Sequence, residues 1–470
     1  MALILPGNYQ INYLTINSSY GRGSIDLKAI YQQVNIFESI LTPAVSGYVT
    51  VTDTYNLISG LKYSLPIMGN EVIYIQAELP ACFVQDENGN WVKGKPNIID
   101  FYGRVTDIKN ISLVNEGAKN YEIHFTSEEL ILDRSLKISK SYKDAKISDI
   151  VASVFTESFP KTFSSFQFET TQGLQTIVVP NWSPIQTINW LASRAISAAN
   201  KRNSCFFFYQ TLYSTDGYNT DPQNCFGNPS TLSSSKYWFL SLDELISDWN
   251  GGVRKTILYI PANNGANISP TNPEIYMKFA NALNYEVVHS FDTLENTSAG
   301  MFASRLIHHD ITKKTFTTYD YNYDSAFANY LHVDSNPLFS GVINSTNKNF
   351  SDPSYSNSHI MVAPTGTNET PNHLEQISYT KLNRIKSLDT FRLKIIVPGD
   401  GLIQAGDLIN FKLPSLEVGG NGQVYDTFYD GKYLVNSIRH TFTRKEYKLY
   451  LDCSKESLKN DVRSFNPKNA

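Results

Sequence analysis

The sequence has few cysteines, and it has no long apolar run. The four cysteines, Cys82, Cys205, Cys225 and Cys453, are widely spaced and form neither a CxxC motif nor a dense framework, so we expect free buried thiols in a reducing compartment. No stretch approaches the ~18 apolar residues that a membrane span needs. Residues 1–6 are apolar but too short for a signal peptide, and they lack a basic region. We therefore expect a protein that folds in a cytoplasm and makes no stable membrane contact.

Charged residues are scarce as well, at 18% of the chain, and neither sign dominates. Forty basic residues face 44 acidic ones, which gives a net charge of −4 and no support for a duplex-binding protein with a basic face. Hydrophobic residues make up 41% of the 470 residues, enough for real cores in two to four domains. Aromatic residues reach 13%, and together with many Thr, Ile and Val they favour strands over helices.

Motifs that would mark an active site are also missing. There is no G-x-S-x-G elbow, and the glycines of residues 21–24 are not followed by a Walker lysine. The most metal-like cluster, His308, His309 and Asp310, falls at the end of a helix predicted near residues 298–309, where neighbouring side chains diverge by about 100°. We interpret Asp243 and Glu244 as a solvated turn or helix start, and His440 as a packed sheet histidine. The sequence predicts no catalytic residue, no cofactor and no metal.

Strand patterns dominate both ends of the chain, and helical patterns lie between them. Residues 1–135 read as strands, and a hairpin is expected where residues 99–110 and 119–126 flank a turn. Residues 390–453 alternate again. The polar stretch at 211–235 is expected to be a loop too long for a hairpin turn, and residues 86–89 a turn. The long stretch at 333–372 is expected to be a surface excursion or an assembly contact.

Two helices are predicted in the middle of the chain. Asp144 is a candidate N-cap for a helix whose apolar residues recur from Ile147 to Phe155. Ser183 followed by Pro184 predicts the start of a second helix, because serine caps well and proline suits the first helical position. Trp182 and Trp190 are expected to pack in the core of this small α/β region, and the alternative is a carbohydrate platform.

The two strand-rich regions resemble each other. Gly69 with Val72 and Tyr74 has a counterpart in Gly406 with Ile409 and Phe411. Likewise Tyr121, Ile123 and Phe125 precede Glu129 and Leu130, much as Tyr447, Leu449 and Leu451 precede Glu456 and Leu458. Either the chain contains a duplication, or two β regions share a common pattern by chance. A duplication would let three chains present six similar units and match a six-fold ring.

Several segments, in family order, resemble the central hub proteins of contractile-tailed phage baseplates. They are VNIFESI at 34–40, VSGYVTV at 45–51, PNWSPIQTINWLA at 180–192, SFDTLEN at 290–296, GMFAS at 300–304, AGDLINF at 405–411 and DGKYLV at 430–435 running to Arg439 and His440. Together these segments span nearly the whole chain. The first half of type VI secretion spike proteins is similar too.

The resemblance implies a β-rich α+β fold with two tail-tube-like β-barrel domains and two smaller inserted α/β domains. The expected division is barrel 1 at 1–135, a two-helix α/β domain at 136–204, barrel 2 at 205–249 and 386–458, an inserted mixed domain at 250–385, and a tail at 459–470.

The implied function is structural. The resemblance implies a homotrimer in the virion baseplate, assembled in the host cytoplasm, that joins the tail tube to the cell-puncturing spike and lines the DNA ejection channel. Implied partners are a spike protein with an oligonucleotide/oligosaccharide-binding-like domain, tail tube proteins, baseplate wedge proteins and, transiently, genomic DNA. The alternatives are a tail-associated cell-wall hydrolase, which would need paired carboxylates in a cleft, and a receptor-binding tail protein.

The predicted hairpin and the C-terminal strands are the candidates for the lumen or for a subunit interface. Their polar positions are Arg104, Asp107 and Lys109 in the first region and Asn436, Arg439 and Lys448 in the second. We expect lumen-facing side chains to be small, polar or acidic, because basic side chains would bind passing DNA.

Overall fold

The chain is built mostly from β-strands, as its composition predicted. The computed structural model describes residues 7–19, 23–54, 56–57, 65, 67–79, 83–85, 91–93, 97–115, 117–160, 164–199, 204–212, 235–247, 252–259, 281–310, 314–337, 342–343, 348–349, 360–365, 381, 383–415 and 425–461. The predicted turn at 86–89 lies outside the described residues, as do Cys82, Cys225 and most of the predicted loops at 211–235 and 333–372.

Strands are numerous along the chain, and short helices separate some of them. The strands are β1 Gln10–Asn17, β2 Ser24–Asp26, β3 Tyr31–Ser39, β4 Ser46–Asp53, β5 Val72–Leu79, β6 Phe83–Gln85, β7 Trp91–Lys93, β8 Asn97–Asn115, β9 Ala118–Thr126, β10 Ile138–Ala145, β11 Ser164–Phe168, β12 Gln175–Trp182, β13 Phe206–Thr211, β14 Ser235–Ser241, β15 Val253–Leu258, β16 Asn284–Ser290, β17 Ala303–Asp310, β18 Thr315–Asn322, β19 Asn336–Pro337, β20 Val342–Ile343, β21 Lys348–Asn349, β22 Ile360–Thr365, β23 Phe391–Pro398, β24 Leu408–Lys412, β25 Gly431–Thr443, β26 Tyr447–Lys455 and β27 Ser457–Leu458. The helices are α1 Glu128–Ser135, α2 Ile147–Ser158, α3 Pro184–Ala192, α4 Leu242–Ile246, α5 Thr293–Ser298 and α6 Tyr323–Phe327.

One 13-stranded sheet joins the two ends of the chain. Its order is β16-β23-β26-β25-β3-β4-β9-β8-β5-β1-β2, with β24 beside β25 and β15 beside β24. The two strand-rich regions therefore share a sheet, and a single apolar cluster lies against both of them. Among the described residues the strand order does not return to its start, so these strands form no closed barrel, and an isolated bridge between Tyr259 and Ala282 links β15 to the segment before β16.

The two regions repeat the same strand order. In the first, β4 pairs with β9, β9 with β8, and β8 with β5. In the second, β23 pairs with β26, β26 with β25, and β25 with β24. The strand before each set also pairs alike, β3 with β4 and β16 with β23. Both ends of the chain thus adopt one topology.

The repeat extends to the register of single residues. The β8–β9 ladder skips one residue between Val105 and Asp107, and the β25–β26 ladder skips one between Val435 and Ser437. A β-bulge of this kind re-aims the strand that contains it and is a built feature of a sheet. Val105 therefore corresponds to Val435, and this pair aligns the two units.

The turn that enters the second strand of each unit is also the same. Asn70 and Gly406 both have positive φ, 68° and 92°. Their N–H groups donate to the carbonyls of Val105 and Val435 at 2.8 Å in both cases. The following acidic residue, Glu71 or Asp407, accepts from the backbone N–H three positions before it, at 2.8 and 2.9 Å.

This register corrects the residue pairs expected from the sequence. Gly406 corresponds to Asn70 and not to Gly69, because the matching hydrogen bonds fall one residue later. Tyr121 corresponds to Leu449 and not to Tyr447, since they lie opposite Val51 and Val397. The alternation of apolar residues has a period of two, so a shift by two leaves the sequence pattern unchanged.

A smaller α/β region packs beside the sheet. Helices α2 and α3 share an apolar cluster with β11, β13 and β14, which form a three-stranded sheet. Ser183 caps α3 as predicted, its side chain accepting from the Gln186 N–H. Asp144, however, is the wrong cap, because it lies in β10 with positive φ and Lys146 occupies the cap position of α2.

The strands of residues 205–249 are not part of the large sheet. Strand β14 pairs with β11 and β13, so the assignment of these residues to a second barrel is wrong for the strands described. Strands β15 and β16, expected in an inserted domain at 250–385, pair instead with β24 and β23 of the large sheet. The reason is that backbone edges pair wherever they meet, and spacing along the chain does not identify the neighbour.

The helix predicted near residues 298–309 is wrong. Helix α5 ends at Ser298, and Ala303–Asp310 forms β17 between β18 and β22. His309 stacks on Phe316 with ring centroids 4.2 Å apart. Over so short a segment, the apolar residues fit both the helix period and the strand period.

Candidate functional site

The junction between the two repeated units is the pairing of β3 with β25. It runs antiparallel from Ser39 opposite Ser437 to Gln33 opposite Thr443. Strand β25 has β26 along one edge, while its other edge pairs first with β24 and then with β3. The two units are therefore joined directly by backbone pairing between β3 of one unit and β25 of the other.

A buried polar group lies on the core side of the junction. Glu38 Oε1 is 3.2 Å from His440 Nε2, and His440 Nδ1 is 2.8 Å from the Tyr447 hydroxyl. Because an ionised carboxylate only accepts hydrogen bonds, His440 Nε2 donates to Glu38. Burial raises the pKa of Tyr447 well above its ordinary value, with the charges of Asp400 and Glu38 adding to the effect. His440 is thus a packed sheet histidine, as predicted.

Glu38 also ties other segments to the junction. Its Oε1 accepts from the Leu212 N–H at 3.0 Å, and its Oε2 from the Ala405 N–H at 3.3 Å. Leu212 follows β13 of the α/β region, whereas Ala405 lies in the turn before β24. One buried carboxylate therefore holds both repeated units and the α/β region at one point.

On the opposite, polar side of the sheet, a row of side chains crosses the junction. The guanidinium of Arg439 lies 5.4 Å from the Tyr450 ring centroid and 5.9 Å from that of Phe37. Phe37 lies 6.0 Å from Tyr48, and Tyr48 lies 5.4 Å from His124. These five side chains come from five neighbouring strands, so the polar face is continuous across the two units.

Asn35 is the hydrogen-bond centre of this face. Its Oδ1 accepts from Arg439 Nε at 2.9 Å, from Thr441 Oγ1 at 3.0 Å and from Gln33 Nε2 at 3.0 Å. Asn35 lies directly opposite Thr441, and Arg439 reaches it diagonally. These bonds fix the register of β3 on β25, since a shift by one residue would turn Asn35 into the core.

Charges of both signs alternate on the same face. Arg392 forms two hydrogen bonds with Asp452, at 2.9 and 2.6 Å. His124 lies 3.4 Å from Glu122, and Lys448 pairs with Glu446. A surface with paired charges offers neither a strong cationic nor a strong anionic field.

The six predicted site residues separate into two groups. Asn436 lies in the β25 bulge, where its Oδ1 accepts from Ser454 Oγ at 3.0 Å, and Arg439 lies at the junction itself. Lys448 sits on β26 on the polar face. All three therefore lie beside the contact between the two units.

The other three predicted residues lie on β8. Arg104 bonds to Glu128 of α1 and to the Asn70 carbonyl. Lys109 lies 3.6 Å from Asp107, and both side chains are about half exposed, at 55% and 54%. By register Lys109 corresponds to Arg439, because both follow the bulge by the same number of residues.

Sequence reasoning missed Glu38 and Asn35. Both lie in a segment that contributes only to the family resemblance. The one local signal was the alternation of Gln33 and Asn35 with Val34 and Ile36 in β3, followed by a carboxylate on the core side. Its partners, Leu212, Ala405 and His440, are far away in sequence, so the signal had no visible counterpart.

Asp243 also differs from its prediction. It lies in the first turn of α4 as expected, with Ser241 as the cap. It is nevertheless buried, and its Oδ1 accepts from Arg384 at 2.6 Å. In the part of the chain that the structure describes, no group of three or more His, Cys, Asp or Glu side chains is arranged to hold a metal ion. None of the described helices is long and apolar enough to span a membrane.

Comparisons with known proteins bear on the fold. No protein-family model matches the sequence, and no curated protein matches it. Among solved structures, a tail protein from Neisseria meningitidis is similar, with a TM-score of 0.51 at 10% identity over 96% of this chain and 97% of that one.

Two further solved structures are similar at lower scores. The prophage MuSo2 tail protein from Shewanella oneidensis has a TM-score of 0.49 at 10% identity, covering 96% of this chain and 99% of its own. A type VI secretion component of Escherichia coli has 0.41 at 9% identity, covering 96% and 77%. The likeness to the Neisseria meningitidis protein confirms, at the level of the fold, the resemblance inferred from the sequence: this chain has a tail-protein fold.

Proposed function

We propose that the protein is the central hub of a contractile phage tail baseplate, a structural virion protein that joins the tail tube to the cell-puncturing spike. In this proposal three chains form a ring, and the ring lines the channel through which the genome leaves. The homotrimer contacts tail tube proteins on one side and a spike protein with an oligonucleotide/oligosaccharide-binding-like domain on the other. Baseplate wedge proteins surround it.

The observation that carries this proposal is the repeated unit. Two sets of four strands share one order, one bulge and one turn, and they are joined edge to edge by β3 and β25. A chain with two like units has a two-fold internal repeat, so three chains present six similar units to a six-fold tube.

The polar face of the joined sheet is the proposed channel wall. It carries Asn35, Thr50, Asn120 and Thr441 among paired charges. Because DNA binds where unpaired basic side chains cluster, a wall of neutral polar groups and neutralised charges lets a duplex pass. Arg439 fits this role since Asn35 and two aromatic rings engage it.

The division of labour within the chain is part of the same proposal. Residues 1–135 and 386–458, with β15 and β16 added, supply the two ring-forming units. The α/β region around α2 and α3 and the segment around β17, β18 and β22 lie outside the large sheet, and they are the surfaces proposed to meet wedge and spike proteins.

Mass measurement in solution tests the proposal. The purified chain is measured alone and with its spike protein, and we expect a species of three copies, either alone or once the spike is added. Cryo-microscopy of the tail tip should then place three copies between tube and spike. A chain that stays a monomer with the spike present, or that maps to the outer wedges, would contradict the hub assignment.

A further inference from the structure

In the part of the chain that the structure describes, β16 and β8 each leave an unpaired edge in the repeated strand sets of the large sheet, while β2 and β15 leave others outside those sets. Strand β16 stands at the end of the strand order and pairs only with β23. Strand β8 pairs with β5 up to Arg104, and Val105 still bonds to Asn70 and Glu71 on that side. Beyond Val105 only the β9 side of the strand is paired. Unpaired edges are templates for another strand, and proteins usually cover or blunt them.

The unpaired part of β8 is also unusually apolar for an exposed strand. Ile111, Leu113 and Val114 are 62%, 75% and 54% exposed. On β16, Val288 is 39% exposed. Large exposed apolar side chains on an open strand edge mark a surface that another chain covers.

The pairing between the two repeated units indicates which strand should cover each of these open edges. Strand β8 corresponds to β25, and β16 corresponds to β3, by the registers of their shared neighbours. Inside the chain, β25 pairs with β3. The two open edges are therefore the two halves of a second junction, one half at each end of the same molecule.

Matching residues of β25 and β8 differ in exposure, as expected if β25 has its partner strand and β8 lacks one. Thr441 and Phe442 of β25 are 5% and 1% exposed beside β3. Thr441 and Phe442 lie opposite Lys448 and Tyr447 of β26. Their counterparts on β8 are Ser112 and Leu113, which lie opposite the matching residues of β9, Asn120 and Lys119. Ser112 and Leu113 are exposed. The same strand positions are thus covered in one unit and open in the other.

We propose that β8 of one chain pairs antiparallel with β16 of a second copy, in the register that β25 and β3 adopt within the chain. Ser112 then lies opposite the second copy's Glu286, Leu113 opposite Tyr285, and Val114 opposite Asn284. This inference rests on the proposed ring and specifies the contact that closes it.

Side-chain chemistry supports this register. Asn35, the counterpart of Glu286, accepts from Arg439 and Thr441. The counterparts of those two donors are Lys109 and Ser112, and both face the same side of the sheet because they lie opposite Glu122 and Asn120. Glu286 is exposed, and its carboxylate has no ion pair or hydrogen bond among the described residues. In the proposed junction this carboxylate accepts from Lys109 and Ser112, with an ion pair replacing the Arg439–Asn35 bond.

A second copy is the occupant because the edges match each other. A contact between two different patches on one surface is head-to-tail, and it closes a ring when the rotation between copies allows it. If the two junctions have one geometry, each step from unit to unit turns by the same angle. The rotation that relates the two units within one chain then also relates the last unit of that chain to the first unit of the next copy.

Disulfide trapping tests the register. Val114→Cys with Asn284→Cys places two exposed positions opposite each other, in a chain that also carries Cys82→Ser and Cys225→Ser. Thr443→Cys with Gln33→Cys is the control at the same end of the in-chain junction, because these residues face each other in β25 and β3 and should form an intramolecular bond. Ser112→Cys with Asn284→Cys is shifted by two residues, beyond ordinary disulfide reach.

We expect the first pair to give dimers and trimers on non-reducing gels that collapse to monomers on reduction, and the shifted pair to give almost none. Mixing the two single variants should give dimers only. A trimer in solution that lacks this disulfide, or that forms the shifted one more readily, would overturn the strand pairing and leave the hub assignment standing. A chain that remains a monomer at every concentration, uncrosslinked and with spike present, overturns both.

Discussion

Glu38 of β3 and His440 of β25 face each other across the junction of the two repeated units, with Oε1 and Nε2 3.2 Å apart and both residues 2% exposed. They are 402 residues apart in sequence. This contact joins the first strand-rich region to the last and makes one sheet of them. It is therefore a direct point at which to test the junction.

Replacing Glu38 by alanine should destabilise the chain strongly. The Leu212 and Ala405 N–H groups and His440 would lose their acceptor in a buried site, and we expect a loss of about 4 kcal/mol in the free energy of unfolding. Glu38→Gln keeps an acceptor oxygen and should lose about half as much. Urea unfolding measures both losses, and equal losses in the two variants would mean that the hydrogen bonds accepted by Glu38 do not stabilise the junction.

Arg439→Ala should cost about 1.5 kcal/mol in the free energy of unfolding, because it removes the hydrogen bond to Asn35 and the contacts with two aromatic rings. Lys448→Ala is the matched control on the next strand. Its exposed ion pair with Glu446 is worth at most about 0.5 kcal/mol. Thermal melting compares them, and similar melting temperatures for the two variants would argue against the row of side chains across the junction.

Charge reversal should separate and then restore the copies. Lys109→Glu and Glu286→Lys each place like charges on diagonal neighbours across the proposed contact between copies, and we expect each to weaken self-association about ten-fold. The double variant restores opposite charges and should recover most of the affinity. Analytical ultracentrifugation over a concentration series gives the association constants. Additive losses in the double variant would show that these two residues do not meet.

Stability should rise with pH in the alkaline range because of Lys455. Burial lowers the pKa of this lysine from 10.5 to about 8, although Asp334 and Asp430 oppose the shift. Between those two pH values the unfolded chain binds a proton that the folded chain does not, so the free energy of unfolding increases with pH. From about pH 7.5 to about 9.5 the gain is about 2 kcal/mol.

Lys455→Met is the comparison for that pH dependence. Its side chain is apolar and unbranched and fits the same buried space, where Lys455 Nζ otherwise donates to the Asp430 carbonyl at 3.1 Å. The variant should lack the alkaline rise, so from about pH 7.5 to about 9.5 the parent should gain about 2 kcal/mol in the free energy of unfolding relative to the variant. Parallel curves for the two proteins would show that another group is responsible.

Local features of the fold were predictable because neighbouring residues carry them. The hairpin at 99–126 formed as β8 and β9, since Tyr121, Ile123 and Phe125 alternate with polar residues. The Ser183 cap was predictable for the same reason, because a cap acts on backbone N–H groups within one turn. The Asp144 cap was wrong because α2 begins later, with Lys146 at the cap position. The helix at 298–309 was wrong because a strand and a helix fit the same short pattern.

The candidate site was predictable only in part. Arg439 and Asn436 were predicted to face the lumen or a subunit interface, and this stays a prediction; within the chain both lie beside the junction between the repeated units. Glu38 and Asn35, which hold that junction, were not identified, because their partners are hundreds of residues away. Polar residues on a strand identify the face that points away from the core, but they do not identify which strand pairs with it.

The sequence by itself determined which segments are strands, which face of each is apolar, and that two regions carry the same pattern. Only the tertiary structure decided that β25 pairs with β3, that β15 and β16 join the large sheet, and that the repeat is offset from its apparent residue pairs. The physical reason is that side-chain alternation is local and sets the buried face. Pairing uses backbone N–H and C=O groups that every strand offers alike, so the neighbour is chosen by packing across the whole molecule.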